Sequence, residues 1–287
     1  MKSIIEYAGK IIFFIKIIYE TTVYIFKKIK ILKNINEYKV LISSPSSGST
    51  FVRLVLSSYL EINNNYGNGI PKYNSYLNKD IFSHNSIIMG NYKNEFSLDK
   101  LGKENLNDLK NSEKLIFFSR YPLGNRDNIF NLTKSKIVVL LRDPYNEVLS
   151  SAVKKVKNIN NEKHIMDILN KKISDYEKYI SFWRHNLKEK QIKIIKFDEI
   201  NDKPEKSLKK ILEFFNLPVN IELIKNCINI HSVETTLNRM NNINKPNYNR
   251  FSNKQIRMKI KENYSIHILN HKSYTKILKL YEEIINI

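Results

Sequence analysis

The chain has 287 residues, 42% of them hydrophobic, which suits one α/β domain with a sizeable core and additions around it. Its single cysteine, Cys227, excludes a disulfide framework, no Cys/His cluster has metal-ligand spacing, and no repeat of solenoid or propeller period is present. A formal net charge of +20 favours anionic partners such as nucleotides, acidic glycans or lipid headgroups, while the dispersal of the lysines argues against nucleic acid.

Residues 1–33 stand apart from a domain at 34–287. The stretch from Ala8 to Phe26 is strongly apolar but interrupted by Lys10, Lys16 and Glu20, then followed by Lys27, Lys28, Lys30 and Lys33. Charges inside the segment argue against a transmembrane span, and no small-residue cleavage site follows it, as a signal peptide would require. Two readings stand side by side. One is a helix lying in the membrane interface, its apolar face buried and its basic flank drawn to anionic lipid. The other is an amphipathic helix packed on the domain or used for dimerisation. The expected location is cytoplasmic, at the membrane periphery in the first reading.

The next element is a strand at 39–43, followed by Pro-Ser-Ser-Gly-Ser-Thr-Phe at 45–51 and a helix at 50–60. At such a turn the unpaired N–H groups of the first helical turn and the positive end of the helix dipole converge, and Ser47, Gly48, Ser49 and Thr50 add little bulk. A phosphate or sulfate fits there. No lysine follows Gly48, so the loop is not the G-x-x-x-x-G-K-[ST] sequence of nucleotide triphosphatases. An ordinary helix-capping turn, with Ser47 or Ser49 as N-cap, is the plainer alternative. Residues 62–112 are rich in Asn, Lys, Tyr and Ser with little periodicity, as in a recognition region built of loops on a rigid scaffold.

A strand is predicted at 115–118 and a fully buried one at 137–141, where the apolar run breaks at Arg142-Asp143-Pro144 and resumes as a helix over 145–157. Arg142 falls at the carboxyl end of its strand, where open α/β sheets place ligands, and Ser150 follows about two helical turns later. A guanidinium and a hydroxyl so placed make a second oxyanion site, the alternative being an Arg142–Asp143 surface pair. Helices at 162–188 and 204–216 flank a strand at 192–197. The alternation predicts a three-layer α/β/α sandwich with a central parallel sheet.

Together, residues 45–51, Leu-Arg-Asp-Pro-Tyr-Asn-Glu-Val-Leu-Ser at 141–150, and the strand, acidic turn and helix at 194–218 resemble the sulfotransferases that use 3′-phosphoadenosine 5′-phosphosulfate (PAPS). That resemblance implies a P-loop NTPase-like fold. It places Ser46, Ser47, Gly48, Ser49 and Thr50 on the 5′-phosphosulfate, Phe51 near the adenine, Arg142 and Ser150 on the 3′-phosphate, Phe197 among the nucleotide-binding positions, and Arg250 in a late basic loop. It also implies sulfonate transfer to a hydroxyl, without a metal, releasing adenosine 3′,5′-bisphosphate (PAP). The apolar N-terminus points to a glycan or lipid-linked acceptor. A catalytically weak PAP-binding member and, further off, a P-loop nucleotide kinase are the alternatives.

Two positions depart from the family pattern. Relatives usually carry Lys or Arg where this chain has Ser46, and Arg53, Lys72 or Lys93 are the candidate substitutes. Arg120, in Phe-Ser-Arg-Tyr-Pro at 118–122, stands where many members have a catalytic histidine. It stays protonated, which suits it to steady a sulfonate rather than to act as a base. His84 is the candidate base, with Glu61 and Glu95 as carboxylate options. The remaining histidines, His164, His185, His231, His267 and His271, read as structural or solvated.

Overall fold

A computed structural model describes residues 38–44, 46–63, 72–74, 79–81, 88–89, 116–119, 135–156, 158–187, 191–232, 234–235 and 254–286. The N-terminal segment 1–33 lies outside them, as do Arg120, His84, Lys93, Glu95 and Arg250.

The buried run from Ile137 to Leu141 has no polar face to offer water, and it forms an interior strand of a parallel sheet. The strands are β1 (Tyr38–Ser43), β4 (Ile88–Met89), β5 (Ile116–Ser119), β6 (Ser135–Leu141) and β7 (Ile192–Lys196), in the order β4-β5-β1-β6-β7. Every pairing among them is parallel, with Ile42 opposite Val139 and Leu140 opposite Ile195. A separate antiparallel pair, β2 (Lys72–Asn74) with β3 (Lys79–Ile81), falls in the region whose sequence shows no period.

Helix α1 (Ser49–Asn63) buries Val52, Val55, Leu56, Tyr59 and Leu60, one face at helical spacing. The other helices are α2 (Pro144–Val153), α3 (Glu162–Asn186), α4 (Phe197–Asp202), α5 (Pro204–Phe214), α6 (Ile221–Ile230), α7 (Lys254–Leu269) and α8 (Tyr274–Ile285). They pack in two sets: α1 and α5 contact α6, whereas α2 contacts α3 and α7, and α8 contacts α3. With the parallel sheet these form the expected three-layer α/β/α fold. Tyr59 ties α1 to the approach of α6, its hydroxyl donating to the Pro218 carbonyl (2.7 Å) and accepting from the Asn220 N–H (2.9 Å).

Several element boundaries differ from expectation, and three of the differences bear on the site. The helix predicted to reach residue 157 stops at Val153, where the Lys155 N–H bonds the carbonyl of Ala152 three residues back, the tightened pattern of a last turn. Phe197 does not end β7 but opens α4, after Lys196 as N-cap. Gly48, rather than Ser47 or Ser49, holds the N-cap position of α1, since its carbonyl accepts from the Val52 N–H at 3.2 Å.

Strand order creates the crevice. From β1 the chain fills the β5 side of the sheet and then crosses to the β6 side, so the loops leaving β1 and β6 diverge at a topological switch point, where open α/β sheets bind ligands.

Candidate active site

The loop leaving β1 is fastened from within. Ser47 Oγ donates to the Ser44 carbonyl (2.8 Å), and Ser44 Oγ to Ser47 Oγ (3.3 Å), both residues being buried. Ser46 and Gly48 have φ of 77° and 78°, in the left-handed region on either side of Ser47. Left-handed residues in such turns gather backbone N–H groups into a concave anion seat, here at the start of α1.

Gly48 is needed for a second reason. A Cβ there would stand 2.9 Å from Cδ2 and 3.0 Å from Cε2 of the Phe197 ring. Gly48→Ala is therefore expected to cost about 1–2 kcal/mol for the left-handed backbone alone, with the clash added. The double variant Gly48→Ala/Phe197→Ala should recover the clash but not the backbone cost, which thermal unfolding of the set will separate. Additive losses would mean that the ring does not limit this position.

Arg142 bridges the two loops. Its Nη1 donates to the Ser46 carbonyl (2.8 Å), and its guanidinium lies over the Phe197 ring, 4.2 Å from the centroid. Two tyrosines of α3 fix the strand end that carries it: Tyr176 donates to the Arg142 carbonyl (2.6 Å) and Tyr179 to that of Leu140 (3.3 Å). Asp143 does not pair with Arg142 as a surface couple. It caps α2, accepting from the Asn146 N–H at 2.9 Å, with Pro144 at the first helical position. Arg142 Nε is buried and makes no hydrogen bond among the described residues. Burial pulls the guanidinium below its ordinary pKa, nearby Arg257 adding to this and the Glu147 carboxyl opposing it.

Three cations converge on this crevice. Besides Arg142, Lys154 Nζ donates to Ser46 Oγ (2.8 Å) from the end of α2, and Arg257 Nη2 donates to Ser150 Oγ (3.1 Å) from α7. Beneath them Glu147 is fully buried, accepting from Ser151 Oγ at 3.0 Å while its Oε2 makes no hydrogen bond among the described residues. Burial pushes its pKa up to about 7, the Ser151 hydroxyl, Arg142 and Lys154 pulling it back by less. A carboxyl held partly protonated at neutral pH leaves the cationic cluster under-neutralised, a charge suited to an anion.

The structure thus brings Ser46, Ser47, Gly48, Ser49, Arg142, Ser150 and Phe197 to one end of the sheet. Phe51 packs partly buried against the core. Arg53 turns to β5, its guanidinium 4.4 Å from the Phe118 centroid, and the cation on Ser46 is Lys154 instead. His231 is structural, buried and 2.6 Å from Ser58 Oγ, and Cys227 is buried in α6, its thiol pushed up to about 12.

Sequence reading missed Lys154, Arg257 and Glu147. Glu147 had a signal, since 144, 147, 148, 151 and 152 share a helical face and are all buried. Arg257 had none, being 107 residues from Ser150.

No protein of curated function matches the chain in sequence. Residues 131–220 match the model of the Sulfotransferase family. The chain carries a sulfotransferase-family segment. It runs through β6, α2, α3, β7, α4 and α5 and so contains Arg142, Glu147, Ser150, Lys154 and Phe197, with the loop at 44–48 before it.

Several solved structures are similar in outline. The sulfotransferase domain of the Synechococcus PCC 7002 olefin synthase is 15% identical over 88% of this chain and 95% of its own, with a TM-score of 0.44. A mouse sulfotransferase in complex with PAP is 15% identical over 87% and 84%, TM-score 0.44. The sulfotransferase domain of the curacin biosynthetic pathway is 17% identical over 66% and 77%, TM-score 0.41.

Among the described residues no group of His, Cys, Asp and Glu has the arrangement of a metal site, and no helix is long and apolar enough to cross a membrane.

Proposed function

We propose that the chain is a PAPS-dependent sulfotransferase acting on a hydroxyl of a glycan or lipid-linked acceptor. One observation carries this reading: within and beside a sulfotransferase-family segment, Arg142, Lys154 and Arg257 converge on Ser46 and Ser150 at the sheet's switch point. The residues suit a ligand with two separated anionic groups. The loop at 46–50 and the start of α1 hold the 5′-phosphosulfate; Arg142, Ser150 and Arg257 hold the 3′-phosphate, the buried Arg142 Nε gaining an acceptor that none of the described residues gives it.

When bound, PAPS supplies the sulfonate: the acceptor oxygen bonds to sulfur as the bond from sulfur to the 5′-phosphate oxygen breaks, its electron pair stays on that oxygen, and the acceptor proton passes to a base. The protein's contribution is position and charge. The fixed N–H groups and cations face the region where negative charge develops, and the internal Ser44–Ser47 bonds hold the loop in place beforehand. Arg120 as an anion stabiliser and His84 as base complete the proposal. The acceptor class rests on the apolar, basic-flanked stretch at 8–33, whose deletion should leave nucleotide binding intact but reduce sedimentation with anionic liposomes.

Titration calorimetry with PAP, 5′-AMP and Mg-ATP tests the nucleotide. PAP should bind most tightly, and preference for Mg-ATP would replace this reading with a kinase. Transfer from radiolabelled PAPS to lysate acceptors then separates an enzyme from a PAP binder.

A further inference from the structure

Helix α7 is apolar on two faces. Inward it buries Ile260, Tyr264 and Ile268 at helical spacing, whereas outward it presents Met258, Ile266 and Leu269, which are 50%, 73% and 48% exposed. Of the five large hydrophobic side chains exposed among the described residues these are three, and Ile266 is the most exposed of them. A surface helix ordinarily turns polar residues to water, and a single exposed apolar side chain needs no explanation. Three on one helix are a different matter. Positions 258, 262, 266 and 269 follow the helical repeat along one face, where Glu262 is the one polar member. Cations flank this stripe, with Lys261 on one side and Lys259 on the other. From 254 to 272 the chain carries Lys254, Arg257, Lys259, Lys261 and Lys272 against the lone carboxylate of Glu262, and the adjoining start of α3 is balanced, Glu162 and Asp167 against Lys163 and Lys171. Beside Ile266 opens a cleft of about 780 Å³ between α3 and the end of α7, its lining including Met166, Tyr264, His267 and Lys272.

We infer that the outer face of α7 is a docking surface for an anionic lipid bilayer: Met258, Ile266 and Leu269 enter the interface, and the flanking lysines meet the headgroup phosphates. Charge selects the occupant. A second copy of this chain, itself of net charge +20, would set one basic face against another, whereas an anionic bilayer supplies the opposite sign over the whole stripe. Exposed apolar side chains between lysines are also how an interfacial helix binds, since buried apolar area adds to the attraction for anionic lipid. The orientation of the domain follows. Arg257, next to Met258, donates to Ser150 Oγ at the crevice, so docking through α7 holds the crevice about 10–12 Å, one helix diameter, from the membrane surface. This surface is separate from the stretch at 8–33, and the inference does not depend on sulfonate transfer.

The test uses the full chain with a polarity-sensitive fluorophore attached through Ile266→Cys, the native Cys227 being buried and out of reach of the label. A second labelled chain carries Lys206→Cys on α5, which belongs to the other set of helices. Vesicles of equal parts phosphatidylcholine and phosphatidylglycerol should shift the emission at 266 to the blue and leave that at 206 in place, while phosphatidylcholine alone moves neither. In the unlabelled chain, Lys261→Glu/Lys272→Glu should lower partition onto the anionic vesicles about tenfold or more without changing the melting temperature. Sedimentation with no shift at 266 would assign membrane binding to another segment and overturn the inference, as would no binding at all. An equal shift with neutral vesicles, or undiminished partition of the charge variant, overturns it by removing the lysines from the surface. A blue shift that grows with protein concentration in the absence of vesicles makes a second copy the occupant and overturns it too. Titration with PAP reads the sulfotransferase proposal alone, so the two can fail independently.

Discussion

Arg142→Ala should weaken PAP binding by roughly tenfold to more than a hundredfold, the value of about 1.5–3 kcal/mol for a lost charge-assisted contact. Two separate functions of the side chain stand behind this figure. The guanidinium faces the crevice beside Ser150 and Arg257, and it also holds the Ser46 carbonyl at 2.8 Å, so it shapes the loop as well as meeting the ligand. Affinity for 5′-AMP should therefore fall too, but less, since that ligand has no 3′-phosphate to lose. Arg142→Lys separates the two contributions. A lysine keeps the charge but neither the fork that reaches the Ser46 carbonyl nor the flat face that lies over Phe197, and it should recover only part of the PAP affinity. Calorimetry on the three proteins with both ligands decides it: equal losses for PAP and 5′-AMP would confine Arg142 to supporting the loop.

The fold was legible in sequence because its signals are local. The buried run through Ile137 to Leu141 and the helical spacing of Val52, Val55, Leu56 and Tyr59 each announce an element within a few residues. Strand order was not legible, since nothing in the β1 segment says that β5 and β6 lie on either side of it. The site divides in the same way. Ser47, Gly48, Arg142 and Ser150 stand at loop and helix starts, where small hydroxyl residues, glycine and a strand-terminal arginine have a recognisable purpose. Lys154 looks like any surface lysine until the early end of α2 sets it on Ser46, and Arg257 depends on α7 packing against α2. For the serine at position 46 the sequence offers Arg53, Lys72 or Lys93 as substitute cations, whereas the cation that the fold sets on Ser46 comes from 108 residues away.

Glu147→Gln should stabilise the protein at pH 8 while changing little at pH 4. In the folded chain burial raises this carboxyl from 4.5 to about 7, so between those values the unfolded chain has released a proton that the folded chain still holds. Stability then falls as pH rises through the window, by as much as about 3 kcal/mol once pH exceeds 7. Glutamine keeps the acceptor for Ser151 Oγ and cannot ionise. Urea unfolding of both proteins at pH 4 and pH 8 measures the difference, and comparing them cancels groups such as Glu177 and Glu199, whose lowered pKa values act in the opposite direction in both. The same proton should appear in binding. Ionised Glu147 competes with a bound anion for Arg142 and Lys154, so the bound state favours the protonated carboxyl, and PAP affinity in the wild-type chain should decline relative to Glu147→Gln as pH rises from 6 to 8. Parallel pH profiles for the two proteins, in unfolding and in binding, would mean that Glu147 is ionised throughout and that the charge of the cluster is already met from within.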